Sequence, residues 1–200
     1  MSGLTTEPQV LIVDDDAAVR DSVSLWLECN GYNTRCFVDG EAFLEAYSHE
    51  LRGCIIADIR MPGMNGLELQ THLNERNNLL PLIFITGHGT VPMAVEAMRH
   101  GALDYLRKPV DEQQLLKLVE QAFEADAANA TQANLFSSLT KRECQVGHLV
   151  VDGKANKVIA GDLNISERTV EVHRANVMRK LKAKTLAQLV KLWSPSSLVS

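Results

Sequence analysis

The sequence has no apolar run of about eighteen residues, the length that would suggest a membrane span. Its opening residues, Met1-Ser2-Gly3-Leu4-Thr5-Thr6-Glu7-Pro8, lack a basic segment followed by an apolar one. The expectation is no membrane span, no secretory leader and a cytoplasmic location. Cys29, Cys36, Cys54 and Cys144 show no Cys-x-x-Cys spacing, and no His/Cys pattern suits zinc. Reduced structural thiols are expected, and His88 and His173 read as locally satisfied side chains rather than metal ligands.

What is present is a division of charge. From Ser137 onward 11 Lys/Arg stand against 5 Asp/Glu, a local +6, so the chain's net −5 leaves −11 for residues 1 to 136. An acidic half joined to a basic half suggests a regulated domain and a polyanion-binding domain. Two hundred residues suffice for two modest domains, each with its own core.

Alternating apolar runs and helical periods fill the first part. They predict strands at 10–14, 33–38, 53–57, 82–86 and 103–107, and helices near 17–30, 40–49, 65–76, 91–100 and 111–126. Five such units imply a doubly wound α/β fold with a five-stranded parallel sheet. Residues 125–134 are small and polar without Gly or Pro, and 125–136 read as a linker with helical potential.

The run Val10-Leu11-Ile12-Val13 leads into Asp14-Asp15-Asp16, and Cys54-Ile55-Ile56-Ala57 leads into Asp58. If both are neighbouring parallel strands, the acids converge at the carboxyl edge, where such sheets bind ligands. Carboxylates ~4 Å apart repel by about 1 kcal/mol in water and about 4 kcal/mol at an effective dielectric of 20. The cluster therefore needs a divalent cation, and oxygen ligands with room for phosphate favour Mg²⁺, with Mn²⁺ as the substitute. Asp16 reads instead as a helix cap. Thr86 brings a hydroxyl to a third strand end and Lys108 an ammonium to a fourth, completing a phosphoryl-accepting site with Asp58 as nucleophile. The loop Met61-Pro62-Gly63-Met64-Asn65-Gly66 would let backbone approach the phosphoryl group.

These motifs, in this order over roughly the first 124 residues, resemble the receiver domain of two-component response regulators. The domain is set at 7–124. The wording Thr86-Gly87-His88-Gly89 and Val91-Pro92-Met93-Ala94-Val95 is most similar to the FixJ-type branch. The resemblance implies that Asp14 and Asp15 bind Mg²⁺, that Asp58 is phosphorylated and that the Arg60 backbone carbonyl completes the metal shell. It further implies that Thr86 and Lys108 contact the phosphoryl oxygens and that Tyr105 is the aromatic switch. Thr90 departs from the Asp expected there, but Thr can also cap the following helix.

After Ser138 the pattern is helical only. Thr140-Lys141-Arg142-Glu143 is a capping-box start to a helix ending near Asp152-Gly153. A short helix spans Asn156 to Leu163 with Val158, Ile159 and Leu163 as its apolar stripe. The next has Ser166 as N-cap and runs to about Leu181, and a last one covers Leu186 to Trp193. Two short helices joined by a tight turn suggest a helix-turn-helix. In the third of these helices Val170, Val177 and Leu181 should face the core beside His173, with Arg168, Val172, Ala175 and Arg179 opposite. Such a helix can enter the major groove. Arg168, Thr169, Arg174, Lys180 and Lys182 would meet phosphates, while Glu171, Val172 and Ala175 would read base edges.

Leu139-Thr140-Lys141-Arg142-Glu143 and Thr169-Val170-Glu171-Val172-His173-Arg174 resemble the LuxR/FixJ/NarL four-helix DNA-binding domain, assigned here to 137–200. Gly147 departs from the apolar residue usual there, and Gly costs about 1 kcal/mol in a helix interior relative to Ala. A less stable domain is expected from it.

Together the resemblances imply a phosphorylation-activated transcription regulator. A cognate sensor histidine kinase phosphorylates Asp58, adding about −1.5 to −2 charges. Thr86 and Lys108 move toward the new oxygens and Tyr105 turns inward. The face of the fourth helix, fifth strand and fifth helix then forms a homodimer, which binds a double-stranded DNA operator and engages RNA polymerase. No enzymatic activity beyond slow self-catalysed phosphoryl transfer is expected. Two other readings stay open: an enzyme using Asp58 for phosphoryl or haloacid chemistry, though the chain lacks a cap domain, and a constitutive DNA-binding protein with a structural receiver.

Overall fold

The computed structural model describes residues 7–193 apart from His88; readings that touch residues 1–6, His88 or the Ser/Pro tail from 194 lie outside the described residues. The chain forms two units, Met1–Ala127 and Ala128–Ser200.

In the first unit, strands β1 (Gln9–Val13), β2 (Thr34–Phe37), β3 (Gly53–Ala57), β4 (Leu82–Thr86) and β5 (Asp104–Arg107) form one sheet in the order β2-β1-β3-β4-β5. All four pairings are parallel. The central strands β3 and β4 are buried at every residue, as strands covered on both faces must be. Side chains alternate between faces, so Leu11 and Val13 enter one core layer while Val10 and Ile12 enter the other. The register pairs Val13 with Ala57, which brings Asp14 and Asp58, the next residues along, to one edge.

Helices α1 (Ala17–Cys29), α2 (Gly40–Ala46), α3 (Gly66–Glu75), α4 (Val91–Arg99) and α5 (Glu112–Ser137) connect and follow the strands. Asp16 caps α1 by accepting from the Ala18 N–H at 2.8 Å, and Asn65 with Glu68 makes a capping box on α3. Thr90 caps α4, accepting from the Met93 N–H. Helix α2 stops at Ala46, short of the expected 49, because Tyr47 is already extended and its ring leans on Phe43.

Helix α5 runs unbroken through residues 125–136, so the expected linker stretch is helical throughout. Its Ala-rich sequence favours helix and contains no breaker. Asp126, within that stretch, is buried and accepts from Arg52 Nε at 2.9 Å. Burial pushes its carboxyl up, opposed by the Gly53 N–H and the Arg52 guanidinium.

The second unit contains α6 (Lys141–Val151), α7 (Asn156–Leu163), α8 (Glu167–Lys180) and α9 (Leu186–Leu192) around one core with Val146, Ile159, Val170, Val177, Leu181 and Trp193. The turn from α7 to α8 closes through Asn164 in the left-handed conformation, φ 52°. Val158 does not belong to the buried stripe of α7: it is 49% exposed, while Ile159 and Ala160 are buried. Neighbouring helical residues point about 100° apart, and docking against the core selects the Ile159–Ala160–Leu163 side.

Gly147 is not a weakness. A Cβ there would lie 2.1 Å from Trp193 Cη2, so the bare backbone of α6 is the seat of the indole ring. That ring also stacks edge-on against Phe136 at 5.0 Å between centroids.

The expected capping box on α6 is present, and Glu143 has a further partner: Lys180 Nζ donates to Glu143 Oε2 at 2.6 Å. Burial pushes the Glu143 carboxyl up, but Lys180, the Thr140 N–H and the Thr140 hydroxyl outweigh it and hold it below the ordinary 4.5. A depressed carboxyl contributes stability above its unfolded pKa that is lost as pH falls through the folded one. Acid unfolding of this unit, followed by Trp193 fluorescence in a Trp26→Phe background, should therefore become less pH-dependent below about pH 4.5 in Glu143→Gln. At neutral pH the same variant should lose about 1 to 3 kcal/mol of stability. An acid transition identical to that of the parent would contradict this role.

Candidate functional site

At the carboxyl edge of the sheet, Asp14 and Asp58 are buried and Asp15 is exposed. One carboxylate oxygen from each can be chosen so that all three lie within 4.8 Å of one another. Lys108, just past β5, reaches back between two of them: its Nζ donates to Asp14 Oδ2 at 2.6 Å and to Asp58 Oδ2 at 2.8 Å. The remaining oxygens are also held. Asp14 Oδ1 accepts from the Asp16 N–H and Asp58 Oδ1 from the Arg60 N–H, both at 3.0 Å.

Burial pushes the Asp14 carboxyl up, and the hydrogen bonds from Lys108 and Asp16 only partly offset this. Burial alone would lower the Lys108 pKa, but its bonds to Asp14 and Asp58 raise it. The two directions disagree, since one favours a neutral acid and the other an ion pair. Short contacts from one ammonium to two carboxylates decide for the ion pair. Three carboxylates and one ammonium leave a formal charge of −2, which one divalent cation would cancel. The all-oxygen donor set fits Mg²⁺ or Mn²⁺ and not zinc.

Local sequence explains why these groups stay in place. Gly66 opens α3 directly against the strand end: a Cβ there would sit 2.4 Å from the Asp58 carbonyl oxygen. Glu41 accepts from the Met64 N–H at 3.1 Å and so ties the loop after Asp58 to α2. Arg20 Nη1 donates to the Asp14 carbonyl at 2.6 Å. Neither Glu41 nor Arg20 is evident from sequence, because a polar residue in the first turns of a helix carries no mark of what it reaches. Thr86 is fully buried at the end of β4, and Tyr105 on β5 is half-buried. Of the expected metal ligands, Arg60 touches Asp58 through its amide; the role expected of its carbonyl is separate from that contact.

In the second unit α8 presents the expected two stripes. Val170, Val177 and Leu181 are buried, with His173 partly so, while Arg168, Glu171, Val172, Ala175 and Arg179 are exposed. Ser166 caps the helix through the Thr169 N–H at 3.0 Å, and its hydroxyl bonds that of Thr169. Lys182 is exposed just beyond the helix. Lys180 departs from the expected phosphate contact, since its ammonium is bound to Glu143 and to the Ser138 carbonyl at 2.9 Å. It braces α8 against α6, and its partner lies 37 residues away in sequence. Arg174 is partly engaged as well, with Nη1 on Asn156 Oδ1 at 2.7 Å.

Residues 10–120 match the response regulator receiver domain family, and residues 137–193 match the luxR family of bacterial regulatory proteins. The transcriptional regulatory protein FixJ of Rhizobium meliloti (strain 1021) is 46% identical over 196 residues, covering 94% of this chain and 95% of that protein. FixJ of Bradyrhizobium diazoefficiens is 40% identical, covering 94% and 96%. Among solved structures, the response regulator StyR is similar with a TM-score of 0.59 and 44% identity, covering 93% of this chain and 98% of that one. Among the described residues, no helix is long and apolar enough to cross a membrane.

Proposed function

Because the chain belongs to the FixJ-type two-component response regulators, transcription regulators with a receiver domain and a LuxR-type DNA-binding domain, we propose that Asp58 is its phosphoacceptor. The observation that carries this is the Lys108 ammonium held between Asp14 and Asp58 at a strand edge beside buried Thr86. A receiver domain implies a histidine kinase as donor, and receiver domains bind Mg²⁺ at this acidic pocket. Asp58 attacks the phosphoryl group, the phosphorus–nitrogen bond to the kinase histidine breaks, and an acyl phosphate forms.

Asp14, Asp15 and Asp58 would hold Mg²⁺ or Mn²⁺, which supplies positive charge to the phosphoryl oxygens. Lys108, already on Asp58, exchanges a carboxylate oxygen for a phosphoryl oxygen. The Thr86 hydroxyl donates to another, and the aromatic ring of Tyr105 takes up the space it leaves. The face of α4, β5 and α5 then pairs two copies of the chain. Val91, Val95 and Met98 expose an apolar stripe on α4 that supports this surface. A dimer puts two copies of α8 on two half-sites, which raises affinity through effective concentration. RNA polymerase is the further partner. The test is labelling with acetyl phosphate and Mg²⁺, followed by mapping of the modified residue to Asp58.

On α8 two classes of residue should behave differently. Arg168→Ala or Lys182→Ala should weaken binding about equally for all sequences and reduce the salt slope by about 1 per lost phosphate contact. Glu171→Ala, Val172→Ala and Ala175→Ser should change which base pair is preferred, by about 1 to 3 kcal/mol per position. Affinities against a panel of DNA variants at several salt concentrations separate the two, and unchanged base preference in the second set would mean that another face of α8 enters the groove. Lys180→Ala should act through stability of the domain rather than through the salt slope.

A further inference from the structure

We propose that Gly89 is a positioning residue of the switch: its missing side chain is the seat that admits the Tyr105 ring. The Tyr105 hydroxyl is buried and has no hydrogen-bond partner among the described residues. A Cβ placed on Gly89 would fall 1.5 Å from Tyr105 Oη, 2.6 Å from Cζ and 2.8 Å from Thr86 Cγ2. The end of the phenol thus occupies the volume that any other residue at 89 would fill. No hydrogen bond holds the ring there, so shape does, and the same volume borders the Thr86 methyl.

This inference rests on the reading that Tyr105 turns inward when Asp58 is phosphorylated. A seated ring belongs to the dimerising form, and anything that fills the seat lowers the population of that form. Apparent affinity falls in proportion to the competent fraction. The effect needs no change at Asp58, because the atoms nearest a Cβ on Gly89 belong to Tyr105 and Thr86 rather than to the carboxylates or Lys108. Gly87 gives the contrast on the same loop: among the described residues, a Cβ there would meet only Lys108 Cδ, at 4.0 Å.

The test uses the full chain with 3-fluorotyrosine at Tyr32, Tyr47 and Tyr105, the Tyr105 ¹⁹F signal being assigned by its loss in Tyr105→Phe. Gly89→Ala should move that signal toward the value of free 3-fluorotyrosine. It should also raise the protein concentration needed for half-dimerisation with beryllofluoride and Mg²⁺ by at least about tenfold. Acetyl phosphate labelling of Asp58 should be retained, which shows that the variant is folded. Gly87→Ala should leave the Tyr105 signal in place. An unmoved signal in Gly89→Ala, or a moved signal with dimerisation unchanged, overturns the proposal, as does an equal displacement by Gly87→Ala. A parent chain that stays monomeric with beryllofluoride overturns the functional reading instead, and the ring signal alone then decides whether Gly89 is the seat.

Discussion

Asp58→Asn should take up no phosphoryl group from acetyl phosphate and Mg²⁺. The amide has no anionic oxygen to form the acyl phosphate, and the neighbouring acids are poor substitutes. Asp14 is the more deeply buried of the two acids that Lys108 joins, 3% exposed against 8% for Asp58, which leaves an incoming phosphoryl group less access to it. Asp15 is exposed and lies on β1's side of the pocket rather than at the end of β3. Intact mass and phosphate-affinity electrophoresis read the result directly. Asp14→Asn and Asp15→Asn should keep Asp58 but remove one oxygen donor each from the cluster, so the Mg²⁺ concentration for half-maximal labelling should rise. Full labelling of the Asp58→Asn chain on another residue would end the assignment.

Gly147→Ala should destabilise the second unit, against the helix scale. Propensity alone favours Ala over Gly by about 1 kcal/mol. The new methyl would meet the Trp193 ring at 2.1 Å, with two more ring atoms at 2.6 and 2.8 Å. Relieving such overpacking typically costs about 1 to 3 kcal/mol and occasionally more, so the clash wins. Trp193 cannot simply swing away, because it is 3% exposed, packs on Phe136 and donates from Nε1 to His148 Nδ1 at 3.3 Å. Urea unfolding read by Trp193 fluorescence in a Trp26→Phe background gives the sign. A midpoint shifted upward would show that the indole is not seated on Gly147.

Period and local chemistry carried the parts of the fold that depend on near neighbours. The strand runs, the Asp16, Thr90, Thr140 and Ser166 caps and the inward stripe of α8 are all set within a few residues, and they were legible. So was the convergence of Asp14 with Asp58, because two apolar runs ending in acids have one reasonable pairing in a parallel sheet. Pairings between distant residues were not legible. Lys180 reads as a surface cation until Glu143, 37 residues earlier, is brought beside it. Asp126 reads as a linker residue until Arg52, 74 residues away, is placed against it. Gly147 reads as a flaw until Trp193 lies on it, and Val158 reads as core until Ile159 and Ala160 take the inner face. In each case the residue type is compatible with two roles, and only tertiary packing selects one.

Modification of Asp58 is proposed to switch the association state of the chain. Sedimentation equilibrium of the parent and of Asp58→Asn at micromolar concentration, with and without beryllofluoride and Mg²⁺, tests it most directly. The account predicts the monomer mass for both proteins without the adduct and twice that mass for the parent alone when it is present. The same mass for the parent in both conditions would contradict it.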